Sequence, residues 1–370
     1  MRSARGPKLW PGLDSGQYCV GYTLRQIRDE SRLFPIGEDS GRAAPRPIQI
    51  SIWYPGEKMP ASPQVTLTDY LADIRTELDF QAGPALADEV AAELTETLSV
   101  EGVDNDRLKR ALARRCLAVR DRTPLAGPFP LVLFAPGAQA SPSQNPVLCE
   151  FLASHGFVVA SIPSIGPNSR AVPTTHEGIE AGVRDLALTL EYMLDKRTVR
   201  GAAGVAGFSW GGLTGPLLAM RDARIGAVAS LDGALMQRQH LATARTMLGY
   251  NASALRRPIM ILLADARQWD LRTVEFFHEA GDGKQDGFLV RFHDLYHGDF
   301  ASSIIELVLH NLVEPGRDVS RVDTAFVWQC RYLLAFFNTY LKKDEGARAF
   351  LAREPEANGV PVNLLSIQRR

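Results

Sequence analysis

The chain has 370 residues, of which 45% are hydrophobic and 22% charged, ordinary values for a water-soluble globular protein. Lys and Arg number 41 against 42 Asp and Glu, so the net charge is −1 and the basic surface a nucleic-acid partner would need is missing. No apolar run approaches the roughly 20 residues of a membrane span, and Cys19, Cys116, Cys149 and Cys330 form no C-x-x-C pair, which argues against a zinc site or thiol–disulfide chemistry.

Met1 to Gly16 carries basic residues but no apolar stretch, so no signal peptide is read there. The compartment stays open, export as a mature form included. Val20 to Arg28 and Pro47 to Trp53 read as the first two strands. Ile48-Gln49-Ile50-Ser51-Ile52-Trp53 alternates apolar and polar, the pattern of a half-solvated antiparallel edge, and Tyr54-Pro55-Gly56 ends it. Pro35 to Pro45 is a loop rich in Gly, Pro and charge. Residues 64–122 change character. Leu67, Tyr70, Leu71, Ile74 and Leu78, then Val90, Leu94 and Leu98, then Leu108, Leu112 and Cys116 fall at helical spacing and predict three helices. Acidic residues dominate from Asp69 to Asp106 and basic ones from Arg107 to Arg122, so these helices would neutralise each other if they lie together. The block is either an insertion packed on the body or a lid over the substrate entrance.

A regular alternation begins at Pro128. Leu131 to Ala135 is a continuous apolar run, as expected of a strand buried on both faces. Asn145 to His155 reads as a helix closed by Gly156 at the C′ position. The strand Phe157 to Ile162, the helix Ile179 to Lys196 and the strand Gly204 to Gly207 follow. Strands are read at Ile225 to Leu231, Pro258 to Leu263 and Gly287 to Phe292, with helices at Leu271 to Ala280 and Thr324 to Lys343. Units of this kind build a mostly parallel, doubly wound α/β sheet. Without repeats or low-complexity tracts, one domain is expected over 1–370 with 64–122 inserted in it.

Gly207-Phe208-Ser209-Trp210-Gly211 is a G-x-S-x-G pentapeptide between a strand and the helical stretch Gly212 to Met220. On such a turn a serine hydroxyl stands above the sheet, and the glycines are needed because a Cβ would clash. A serine hydroxyl needs an imidazole to take its proton and a carboxylate to orient that imidazole. Of seven histidines, His297 lies on the loop after the last strand, in Leu295-Tyr296-His297-Gly298-Asp299-Phe300, where the base belongs. Asp232 and Asp265 each follow a strand at the C-terminal edge of the sheet, and spacing alone does not choose between them. The oxyanion donors would be the N–H groups of Trp210 and of Ala138, in the loop Pro136-Gly137-Ala138-Gln139-Ala140-Ser141. Gly137, Gln139 and Trp210 are candidate substrate-pocket residues. No metal or organic cofactor is implied.

These segments resemble the α/β-hydrolase superfamily and, within it, the branch of platelet-activating-factor acetylhydrolases and related bacterial dienelactone-hydrolase-like proteins. The resemblance rests on Tyr18-Cys19-Val20-Gly21 with Ile52-Trp53-Tyr54-Pro55, on Leu131 to Gly137 with Phe151 to Ala160, on Gly207 to Gly212, and on His297 with Phe300. It spans most of the chain outside 64–122. It implies a serine esterase with an acyl-enzyme on Ser209, a small-molecule ester as substrate, and Asp232 as the acid, with Asp265 in reserve. Two features depart from that pattern. The oxyanion loop begins Pro136-Gly137 in place of the acetylhydrolases' His-Gly, and the nucleophile position holds serine in place of the cysteine of dienelactone hydrolases proper. The competing readings are a non-catalytic ligand-binding relative and an acyltransferase or amidase on the same elbow. An interfacial lipase would need the helical block to open, and the block's charge pattern does not favour membrane attachment. Acyl and alcohol specificity and oligomeric state are not legible.

Overall fold

The computed structural model describes residues 8–36, 41–58, 62–83, 85–99, 102–264, 272–281, 283, 285–311 and 317–370. Its strands are β1 (Lys8–Trp10), β2 (Leu13–Asp14), β3 (Cys19–Pro35), β4 (Ala43–Gly56), β5 (Val119–Arg120), β6 (Leu131–Ala135), β7 (Val158–Ser161), β8 (Ala203–Phe208), β9 (Ile225–Leu231), β10 (Ile259–Leu263), β11 (Gly287–Phe292) and β12 (Leu365–Arg369). The helices are α1 (Leu67–Ala72), α2 (Ala87–Ser99), α3 (Asn105–Leu112), α4 (Pro146–Ser154), α5 (His176–Leu194), α6 (Gly211–Arg221), α7 (Arg238–Arg245), α8 (Glu275–Glu279), α9 (Ser302–Ile304), α10 (Val319–Leu341) and α11 (Glu345–Ala352). None is long and apolar enough to cross a membrane, among the described residues.

Ten strands form one sheet in the order β12-β11-β10-β9-β8-β6-β7-β4-β3-β5. From β11 to β7 every neighbour is parallel, whereas β12 on β11, β4 on β7 and β3 on β4 are antiparallel. The apolar runs explain the parallel core, because alternate residues feed opposite faces. In β6, Leu131, Leu133 and Ala135 join the cluster with α5 and α6, while Val132 and Phe134 join the one with α4 and α10. Helix starts follow capping chemistry. Thr66 and Asp69 form a capping box on α1, and Thr175, Asp318 and Asp344 accept from the first turns of α5, α10 and α11.

The second strand differs from its expected place. β4 is an interior strand between β3 and β7, buried from Arg46 to Gly56. Its polar positions meet protein instead of water. Gln49 donates to the Asp73 carbonyl (2.9 Å) and accepts from Thr76 (2.7 Å), and Ser51 shares a hydrogen bond with Tyr22 (3.2 Å). The helical block thus roofs the face that alternation assigned to solvent.

Within 64–122 three helices form as the apolar spacing predicts, but α1, continued by a 3-10 turn over Asp73–Thr76, stops before Leu78, and α3 ends at Leu112, leaving Cys116 outside it. Leu67, Leu108, Ala111, Leu112 and Leu307 bury one another in a small separate cluster. Arg114 pairs outside the block with Glu306 (2.6 Å), and Arg75 pairs inside it with Glu89 (3.2 Å). Boundaries move elsewhere. β3 runs on to Pro35, β4 starts at Ala43, α5 starts at its Thr175 cap, and α8 is a short helix from Glu275. The ribbon β1–β2, the helices α7 and α11 and the strand β12 had no counterpart in the sequence reading.

Candidate active site

The site is assembled at the C-terminal ends of β6, β8, β9 and β11. Ser209 follows β8 directly and has φ +53°, the left-handed region that side chains other than glycine rarely adopt. Three hydrogen bonds hold it there. Its N–H donates to Leu231 O (3.0 Å), and its carbonyl accepts from Gly212 (3.0 Å) and Ala234 (2.8 Å). The flanking glycines are required by closeness. A Cβ on Gly207 would lie 2.1 Å from Gly211 O, and one on Gly211 would lie 1.9 Å from Ala135 O.

His297 opens the 3-10 turn His297–Phe300. Its Nε2 is 3.0 Å from Ser209 Oγ and its Nδ1 is 2.6 Å from Asp232 Oδ2. An ionised carboxylate only accepts, so Nδ1 carries the proton and the Nε2 lone pair faces the serine hydroxyl, which donates to it. Phe208 packs against the ring with centroids 4.9 Å apart. Asn145, at the start of α4, ties the histidine loop down by donating to Phe300 O (2.9 Å) and accepting from Ser302 N–H (2.8 Å).

Asp232 is buried and also sits at positive φ, +46°. Besides His297 it accepts from Ala264 N–H (2.9 Å) and from both terminal nitrogens of Arg272, one at 2.6 Å on Oδ2 and the other on Oδ1. Burial pushes its carboxyl up, but hydrogen bonds from His297 and Arg272 outweigh that and hold it below the usual carboxylate range. The structure therefore brings Ser209, His297 and Asp232 together. Asp265 lies outside the described residues.

The loop after β6 lies against the serine, since a Cβ on Gly137 would stand 3.4 Å from Ser209 Cβ. Gly137 is buried and its N–H is taken by Gln144 Oε1 (2.8 Å). Ala138 and Gln139 are exposed, and Gln139 has φ +62°. Neither the Ala138 nor the Trp210 N–H meets a protein acceptor among the described residues. The Trp210 indole is a core side chain, 4% exposed, with the His240 ring edge-on to it at 5.8 Å. What Trp210 offers at this site is its main chain at the start of α6, not a pocket wall.

Sequence reasoning missed Arg272, Asn145 and Gln144. The partners of the first two are set by loops whose course no local pattern reveals. Gln144 lies three residues past the loop singled out, and nothing marks its side chain as turning back on Gly137.

No protein-family model matches the chain, and no curated protein matches it in sequence. Among solved structures it is similar to a ferulic acid esterase from Streptomyces cinnamoneus, with a TM-score of 0.62 at 19% identity over 95% of this chain and 97% of that one. At that identity the likeness carries the architecture alone, and it does not reach the acetylhydrolase branch. The mixed ten-stranded sheet, its order and this structural neighbour together give the chain the α/β-hydrolase fold.

Proposed function

We propose that this protein is a serine hydrolase of carboxylic esters, acting through an acyl-enzyme on Ser209. The observation that carries the reading is the hydrogen-bonded run from Asp232 through His297 to Ser209 on a strained strand-to-helix turn. The esterase neighbour agrees with it. In this reading His297 Nε2 takes the Ser209 proton as Oγ adds to the ester carbonyl. The Ala138 and Trp210 N–H groups hold the resulting oxyanion. Collapse of that intermediate expels the alcohol, which receives the proton from His297. Water then adds to the acyl-enzyme through the same base, releasing the carboxylic acid and restoring Ser209. Asp232 keeps the imidazole in the required tautomer and stabilises the imidazolium.

The test is a p-nitrophenyl ester series from acetate to long acyl chains. Ser209→Ala is expected to abolish turnover. Asp232→Asn is expected to lower kcat about 10⁴-fold, whereas Asp265→Asn leaves it within a few-fold. Turnover that survives Ser209→Ala would refute the reading.

A further inference from the structure

The loop that presents Ala138 is tied on both sides of that residue. Ala140 N–H donates to Gly137 O (3.1 Å), Ser164 N–H to Ala140 O (2.8 Å), and Gln144 N–H to Ser141 O (3.0 Å). Gln144 holds Gly137 N–H (2.8 Å) and is itself held through its carbonyl by the Ser303 hydroxyl (2.9 Å). Two further ties come from outside this part of the fold. The Ser141 hydroxyl donates to Glu77 Oε2 (2.9 Å), and Arg170 donates to that same oxygen (2.7 Å) and reaches the Gln139 carbonyl (3.5 Å).

Glu77 belongs to the inserted block, at the end of the 3-10 turn that follows α1, and is 2% exposed. The turn itself is fixed to the sheet. Tyr22 donates to Asp73 (2.8 Å), Arg120 pairs with Asp73 (3.1 Å), and Gln49 grips both Asp73 O and Thr76. A buried carboxylate on a pinned turn therefore ends on the serine and arginine that flank the left-handed Gln139. Donors that stabilise an oxyanion act through being fixed before the charge appears, so the Glu77 tie at Ser141, three residues from Ala138, and the Arg170 contact at Gln139, one residue from it, bear on the rate.

We propose that Glu77 is a positioning residue for the oxyanion loop, so that this part of the insertion is a fixed support of the catalytic centre and not a lid. The proposal rests on the reading of Ala138 as an oxyanion donor. Because Ser141 and Arg170 share one oxygen of Glu77, a single amide oxygen replaces it, and Glu77→Gln is the rescuing variant.

The experiment compares wild type with Glu77→Ala, Glu77→Gln and Arg170→Met, and with Arg75→Ala as a control on the block's exposed surface. Two readouts are taken on the full chain: p-nitrophenyl acetate kinetics and amide hydrogen exchange over 137–144. Glu77→Ala is expected to lower kcat about 10- to 100-fold with KM little changed, and to speed exchange of these amides at least about tenfold, as expected of locally freed backbone. Arg170→Met should move both in the same direction, Glu77→Gln should keep kcat within about fivefold, since the shared hydrogen bonds survive, and Arg75→Ala should move neither. Unchanged kcat in Glu77→Ala, or lowered kcat without faster exchange, overturns the proposal. Exchange needs no substrate, so a wild type inactive on every ester would sink the esterase reading while exchange still decided whether Glu77 supports the loop.

Discussion

Glu150 gives the most exacting test of the packing described above. It lies in α4, fully buried, and its carboxyl accepts from Tyr70 Oη (2.6 Å), Leu117 N–H (2.7 Å) and Ala118 N–H (3.1 Å). Trp53 Nε1 in turn donates to Tyr70 Oη (2.8 Å). Burial pushes the carboxyl up from 4.5 to about 7, although these three donors and the charge of Arg114 all pull it down. Desolvation outweighs them. The sign of the linkage follows. Between those two pH values the folded chain keeps a proton that the unfolded chain has released, so this group's contribution is present at low pH and is lost as pH rises through about 7. In Glu150→Gln the group no longer titrates. The amide can turn its oxygen to Tyr70 and Ala118, which leaves its NH₂ against the Leu117 N–H, a pH-independent cost of about 1–3 kcal/mol. Equilibrium urea unfolding of both proteins at pH 5, 6, 7 and 8 isolates the titrating part, because other groups cancel in the difference. The variant should be the less stable at pH 5, and its deficit should shrink by roughly 2–3 kcal/mol by pH 8. A deficit that stays constant, or widens as pH rises, would refute the reasoning.

Two further outcomes bear on the site and the elbow. Arg272→Gln removes one of the groups holding the Asp232 carboxyl low, so that carboxyl moves up. A carboxyl depressed in the fold contributes stability that is lost as pH falls from its unfolded value to its folded one, so the variant should lose less stability on acidification, while the acid limb of turnover, which follows protonation of Asp232 in the fold, should move to higher pH. Its buried carboxylate, left short of a partner, should cost about 3–5 kcal/mol near neutrality. Ester turnover and denaturant midpoints from pH 4 to 7 measure both effects, and an unmoved acid limb would contradict the role given to Arg272. Gly211→Ala forces a Cβ to 1.9 Å from a carbonyl oxygen and should prevent correct folding, whereas Gly201→Ala, at φ +82° with nothing within 4 Å, should cost only about 1 kcal/mol. Thermal unfolding of the two variants would separate close packing from backbone strain.

The fold class was legible because the central strands are nearly uninterrupted apolar runs, and only a sheet covered on both faces uses such runs. β4 was misplaced for the complementary reason. Alternation reports polarity, and a polar residue satisfied by buried partners, as Gln49 is, looks the same in sequence as one facing water. Ser209 and His297 could be singled out because a tight glycine-flanked turn and a post-strand loop leave local marks. Asp232 and Asp265 leave identical marks, each a carboxylate just past a strand. That Asp232 is the one His297 meets depends on where β9 and β10 end relative to a loop 65 residues away. Glu77 lies still further from legibility, since its partners Ser141 and Arg170 are 64 and 93 residues distant and nothing in the helical periodicity of 64–122 distinguishes it.

The order of the sheet leaves β5 and β12 at its two margins. β5 is two residues long, and β12 lies antiparallel on β11 with Arg369 turned back onto Leu351 O (3.0 Å) and Glu354 (2.9 Å). The β12 margin gives a neighbouring molecule only a short, pinned strand to extend, which is one way sheets avoid templated aggregation. Beneath β12, however, lies Phe288-Leu289-Val290, an apolar strand that would become such a template if uncovered. Substitutions that loosen Leu365–Arg369 should therefore damage this protein in the test tube long before they touch its chemistry, appearing as lost yield and insoluble material from molecules whose remaining soluble fraction still turns over normally.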